Sequence, residues 1–172
     1  MNFDNKIQKK WFIIYKKILL GIDGSEHSYK AILKVIELLE LHKSEIIVFH
    51  SVEHHAIPGG AFMGPSFTVG TGRIYSISDP DLERIKMVYE KNAQAILDRA
   101  TEIFMEAGIK VEPRLVYRED PLSYIKKTVK EEDIELVVIG SIGVHSRLEE
   151  ILLGSVAEKV LRHVPCDILV VR

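Results

Sequence analysis

Five short apolar runs alternate with stretches of helical periodicity along this chain, and that alternation admits few folds. The runs are Lys17 to Ile22, Glu45 to Val52, Lys110 to Tyr117, Ile134 to Ile139 and Asp167 to Val171. They are continuous rather than strictly alternating, as expected of strands buried on both faces. After Asp23-Gly24-Ser25, a turn and helix-start signal, Tyr29, Ile32, Val35, Ile36 and Leu39 recur at helical spacing up to about Leu41. Asp79-Pro80 opens a second helix, with Pro in the first turn and Gly108 where a terminating glycine belongs. Asp120-Pro121 opens a third, which carries Tyr124, Ile125 and Val129 to about Lys130, and a fourth starts near Ser155. Strands separated by helices predict an α/β fold, a single doubly wound parallel sheet with helices on both faces.

The 172 residues suit one domain, residues 15–172, preceded by an N-terminal arm, residues 1–14. The net charge of −2 gives no reason to expect nucleic acid or an acidic membrane as partner. A single cysteine, Cys166, rules out an intramolecular disulfide framework and suits a reducing cytoplasm; it reads as a small buried hydrophobe. No segment is long enough to span a bilayer. The arm's Trp11-Phe12-Ile13-Ile14-Tyr15 is too short for a signal-peptide core, and Lys16-Lys17 follows it instead of a cleavage site. Residues 53–79, with Pro58, Gly59, Gly60, Gly64, Pro65, Gly70 and Gly72, read as one long connection of the kind that serves as a lid or interaction segment. Glu131-Glu132-Asp133 reads as a solvated helix end.

The segment from Gly140 to Ser155 lies between an apolar run and a helix. Glycines there let backbone N–H groups approach an anion closely. Ser155 and Glu158 fit the S-x-x-E capping box, which places a helix start and its positive dipole end at Ser155. The spacing alone fits a phosphate cradle and a tight turn equally. In an open doubly wound sheet, ligands sit beyond the carboxyl ends of the strands where the winding reverses. If the first and fourth strands are neighbours, Asp23 faces the same crevice as these glycines. It then contacts ribose hydroxyls or a phosphate-bound magnesium, or it orders the turn and caps the first helix. There is no P-loop, no G-x-G-x-x-G after a strand and no G-x-S-x-G elbow. His50, His54 and His55 lack a ligand set with metal spacing. His145 and Arg147 are the nearest candidates for chemistry, and little or no turnover is expected.

The chain resembles the universal stress protein family over residues 15–172. The resemblance rests on Tyr15 to Leu19 with Asp23-Gly24-Ser25-Glu26, and on Val48-Phe49-His50-Ser51-Val52. It continues through Val138 to Gly143, Leu152 to Val156 and Val164 to Val171. It implies five strands in order 3-2-1-4-5 and a cytoplasmic stress-response or regulatory protein. The homodimer it implies pairs through the C-terminal strand Ile168-Leu169-Val170-Val171. ATP-binding members carry G-x-x-G, nine residues, then G-[ST]. By that resemblance Gly140, Gly143, Gly154 and Ser155 hold phosphates and ribose of ATP or another adenine nucleotide, with or without Mg2+. Asp23 lies beside them, while Gly21, Ile22, Ser51, Ile139 and Val156 line the pocket. Here ten residues separate Gly143 from Gly154, and the extra one falls within Val144 to Arg147. Ser51 also replaces the valine often found after the strand-two histidine. The competing expectation is a family member that binds no nucleotide and acts by protein association alone.

Overall fold

The computed structural model describes residues 15–39, 44–52, 66–69, 73–76, 79–143 and 153–172. The elements are β1 (Lys17–Gly21), α1 (Glu26–Leu39), β2 (Glu45–Val52), β3 (Ser66–Val69), β4 (Arg73–Ser76), α2 (Asp79–Glu106), β5 (Glu112–Tyr117), α3 (Pro121–Glu131), β6 (Leu136–Gly140), α4 (Ser155–His163) and β7 (Asp167–Val171). The main sheet has five strands in order β5-β2-β1-β6-β7. Counted within that sheet, this is 3-2-1-4-5, and every pairing is parallel. Ile18 of the central strand lies opposite Ile46 on one side and Leu136 on the other.

Alternate residues of β1 fall into different cores. Ile18 and Leu20 pack with Ile32 and Val35 of α1 and with Leu97, Ala100 and Phe104 of α2. Leu19 packs on the opposite face with Ile125 and Val129 of α3 and Ala157 and Val160 of α4. The central strands β1 and β6, covered on both faces, have no interior position for a polar residue and are continuously apolar, whereas the edge strand β5 carries Glu112 and Arg114. Gly24 turns the chain from β1 into α1 at φ +79°, a conformation that disfavours any side chain. Ser25 then accepts the Ser28 N–H at its Oγ and starts the helix.

Three expectations need correction. Residues 53–79 are not one irregular connection: β3 and β4 pair antiparallel, Ser66 opposite Ser76 and Val69 opposite Arg73. Two strands begin two residues later than expected, β5 at Glu112 and β6 at Leu136. Glu132, at the C-terminal end of α3, is not simply solvated. Arg114 of β5 donates to both of its carboxylate oxygens at 2.5 and 2.9 Å, and Lys17 donates at 3.3 Å. The fork of two parallel N–H···O bonds is the strong form of this pair. It ties β1, β5 and α3 together.

The Arg114 hydrogen bonds hold the Glu132 carboxyl below the ordinary carboxylate range, and Glu132 in turn raises the Arg114 guanidinium. The native state therefore binds fewer protons here than the unfolded chain does. The contribution is full above the ordinary carboxylate range and disappears as pH falls through the lowered native value. We expect Glu132→Gln to cost about 2 kcal/mol at neutral pH, between the surface and buried limits for such pairs. The difference from wild type should shrink below about pH 4, where the carboxyl protonates in the unfolded chain. Urea titrations at pH 7 and pH 3.5 read both quantities; a constant difference would remove the ion pair as its cause.

Candidate functional site

The winding direction reverses between β1 and β6, and a cavity of about 400 Å3 opens beyond their carboxyl ends. All ten residues expected at the site line it: Gly21, Ile22, Asp23, Ser51, Ile139, Gly140, Gly143, Gly154, Ser155 and Val156. They come from the ends of β1, β2 and β6, from the turns after β1 and β6, and from the start of α4. Gly21 is bare because a Cβ there would sit 3.1 Å from the Phe49 ring and 3.2 Å from Ile139. Apolar lining comes from Ile22, Phe49, Ile139 and Ile125, and Phe49 stacks at a tilt on Tyr124, 4.7 Å between ring centroids.

The start of α4 differs from the capping box expected at Ser155 and Glu158. The helix begins at Ser155, but its N-cap is Gly154, at φ −71° and ψ 161°, and no side chain caps it. Glu158 donates its N–H to the Gly154 carbonyl in the first helical bond. Ser155 is thus one residue too far along to serve as the cap. The leading N–H groups of a helix have no intrahelical acceptor, and here no cap side chain takes one. Gly154, Ser155, Val156 and Ala157 all line the cavity. Gly154 itself donates to the Ser141 carbonyl at 2.6 Å, which joins the two halves of the glycine segment.

Asp23 is the one acidic or basic side chain, histidine aside, among the described lining residues. Its Oδ1 accepts the Ser25 N–H at 3.0 Å and orders the turn ahead of α1. Its Oδ2 faces Gly143, so that a Cβ on Gly143 would lie 2.6 Å from it. The turn-ordering role is therefore present, and the second carboxylate oxygen lies beside Gly143. Such a carboxylate suits hydroxyl donors or a bridging cation and opposes a bare phosphate.

Ser51 Oγ donates to the Glu119 carbonyl at 2.5 Å, so its polarity is satisfied by the protein. His50 Nδ1 lies 2.7 Å from the Ile22 carbonyl. A carbonyl oxygen only accepts, so Nδ1 carries the proton. This bond fixes the end of β1 against β2. Among the described residues no group of three or more His, Cys, Asp or Glu suited to a metal occurs. His54, His55, His145, Arg147 and the extra residue within 144–147 lie outside the described residues.

Phe49, His50, Pro121, Ile125, Ser141 and Ala157 also line the cavity, and the sequence reading gave none of them a place in the expected pocket. The signal was available in part. Phe49 shares a face with Ser51 by strand alternation, and Pro121 opens the helix that follows a carboxyl strand end. A wider cleft of about 960 Å3 lies at the opposite ends of the strands, lined by Lys16, Lys17, Glu45, Lys130, Glu132 and neighbours. It is open to solvent, and Lys17 is already engaged by Glu132 and Glu45. The smaller cavity is better enclosed and has the convergent backbone donors, so it is the candidate site. Cys166, on the rim of the wide cleft, is half-buried rather than fully buried, and burial raises its thiol above the ordinary value, away from nucleophile chemistry.

Residues 14–172 match the sequence profile of the universal stress protein family. Universal stress protein YxiE of Bacillus subtilis (strain 168) is 29% identical over 159 residues, which cover 92% of this chain and 100% of that one. Among solved structures, the protein MJ0577 superposes with TM-score 0.73 at 26% identity, over 92% of this chain and 96% of its own. A universal stress protein from Archaeoglobus fulgidus in complex with dAMP superposes with TM-score 0.56 at 22% identity, over 93% of this chain and 100% of its own.

Proposed function

The chain belongs to the universal stress protein family, and from that premise we propose that it binds an adenine nucleotide, ATP first among them, in the cavity between β1 and β6. The observation that carries this reading is the convergence of all ten motif residues on one cavity beside a helix start without a side-chain cap. Backbone N–H groups of the glycine segment and of α4 hold the phosphates, aided by the positive end of the α4 dipole. Ile22, Ile139 and Val156 offer apolar surface to the base. Asp23 takes ribose hydroxyls or a magnesium ion carried by the phosphates. The dAMP complex of the Archaeoglobus fulgidus protein supports an adenine nucleotide as the ligand class. The protein binds without rapid turnover: the Ser141 hydroxyl, 2.8 Å from His27 Nδ1, belongs to a residue only 2% exposed and is not presented to a ligand as a nucleophile.

Calorimetry with ATP and magnesium tests the reading. Binding heat is expected, with about 2.7 kcal/mol of added stability at ligand a hundredfold above Kd. Hydrolysis slower than about 1 s⁻¹, the low end of typical enzyme turnover, is expected alongside it. No heat and no stabilisation at millimolar ligand would leave protein association as the function.

We extend the proposal to a cytoplasmic homodimer. β7 is an edge strand whose Ile168, Leu169 and Val170 are only half-buried. An apolar edge is a template for pairing, and a two-fold axis lets it pair with its own copy. Among the described residues no helix is long and apolar enough to cross a membrane. Light scattering at micromolar concentration should give a dimer mass, and Val170→Lys should give a monomer. A monomeric wild type would end the proposal.

A further inference from the structure

The first turn of α1 and the turn before it meet the glycine segment at three points, one of them a hydrogen bond. His27 Nδ1 lies 2.8 Å from Ser141 Oγ. A Cβ on Gly140 would lie 2.9 Å from the His27 carbonyl carbon and the Ser28 nitrogen, so the helix backbone rests directly on the end of β6. Asp23, which orders the turn before α1, meets Gly143. Ser141 sits at the centre of this contact and is 2% exposed. Its N–H donates to the Val171 carbonyl at 2.7 Å, and its carbonyl accepts the Gly154 N–H at 2.6 Å. The hydroxyl is the one remaining polar group of Ser141, and the bond described for it goes to His27.

We infer that His27 is a positioning residue for the nucleotide site, acting through Ser141 rather than by touching the ligand. The histidine itself does not line the cavity, whereas Ser141 does. The imidazole holds the buried hydroxyl in either protonation state, because Nδ1 accepts from the hydroxyl when bare and donates to it when protonated. With the hydroxyl held, the Ser141 carbonyl stays aimed at Gly154. That bond sets where α4 begins and thus where its leading N–H groups point. The inference rests on the nucleotide reading for its consequence in affinity, and on backbone geometry alone for the positioning.

The test uses the full chain as wild type, His27→Ala, Ser141→Ala, the double variant and His27→Asn, whose amide sits close to the place of Nδ1. Each alanine variant should lose about tenfold in ATP affinity, the scale of one hydrogen bond to a buried polar group. The double variant should lose no more than either single one, and His27→Asn should recover most of the loss. In the protein without nucleotide, amide exchange at Gly154 and Ser155 should quicken in His27→Ala and return in His27→Asn. Wild-type affinity in His27→Ala, or losses that multiply in the double variant, would overturn the inference. If wild type binds no nucleotide, the functional reading fails, and the exchange measurement alone decides the positioning role: unchanged exchange refutes it.

Discussion

Replacing Gly143 with valine abolishes nucleotide binding while leaving the fold in place: that is the largest effect we expect at the site. A Cβ at this position would lie 2.6 Å from Asp23 Oδ2, closer than real Cβ contacts come. The carboxylate is a side-chain end and yields by rotating aside, which loosens the bond from its other oxygen to the Ser25 N–H. Valine also adds two methyl groups on the cavity side and keeps a ligand from approaching the backbone. The expected loss is at least a hundredfold in affinity, roughly 2.7 kcal/mol. The thermal midpoint without ligand should move little, because Gly143 stands outside both cores. Calorimetry of Gly143→Val beside wild type measures it, and an affinity within tenfold of wild type would show that this glycine is not part of the cradle.

Gly140→Ala should do the opposite, harming the fold before the site. The new Cβ would press on backbone atoms of His27 and Ser28 at 2.9 Å. Side-chain ends can yield to such a contact, but the first turn of a packed helix cannot yield without shifting as a whole. Overpacking of this kind costs about 3 kcal/mol. For a chain of this size that lowers the midpoint by roughly 6–12 °C. A melt of the two proteins without nucleotide is enough, and equal midpoints would mean that α1 can lift away from β6. The two glycines of one motif therefore serve different ends: Gly140 lets a helix close on a strand, and Gly143 leaves room beside a carboxylate.

That division was not legible in the sequence. Glycine spacing marks where side chains are excluded, but the excluding neighbours, Asp23 and His27, are more than a hundred residues away in the chain. The strands were legible, because burial on both faces leaves a continuous apolar run that no surface helix shows. The sheet order came from the family resemblance, since periodicity does not say which strands are neighbours. The hairpin of β3 and β4 was missed because its strands have four residues each and sit among glycines that suggest irregular chain. Glu132 was misread because its partners, Arg114 and Lys17, are joined to it only by the finished fold. At Ser155 the reading was wrong by one position: the sequence pattern of a capping box was present, but Gly154 took the cap.

The pairing of β1 with β6 sets Gly21 opposite Ile139, and the walls of the cavity come from both partners in that pairing. A ribosome makes Asp23 and Ser51 long before it makes Gly143 and Ser155. Closing so long a loop comes late, after local contacts have formed. A nascent or truncated chain can therefore hold β1, α1 and β2 and still possess only half a binding site. Ligand that binds the native state alone adds its stability only once the final third of the chain has docked. Nucleotide in this cavity would thus act as a seal on completed molecules, drawing the last folding step forward and giving unfinished chains nothing.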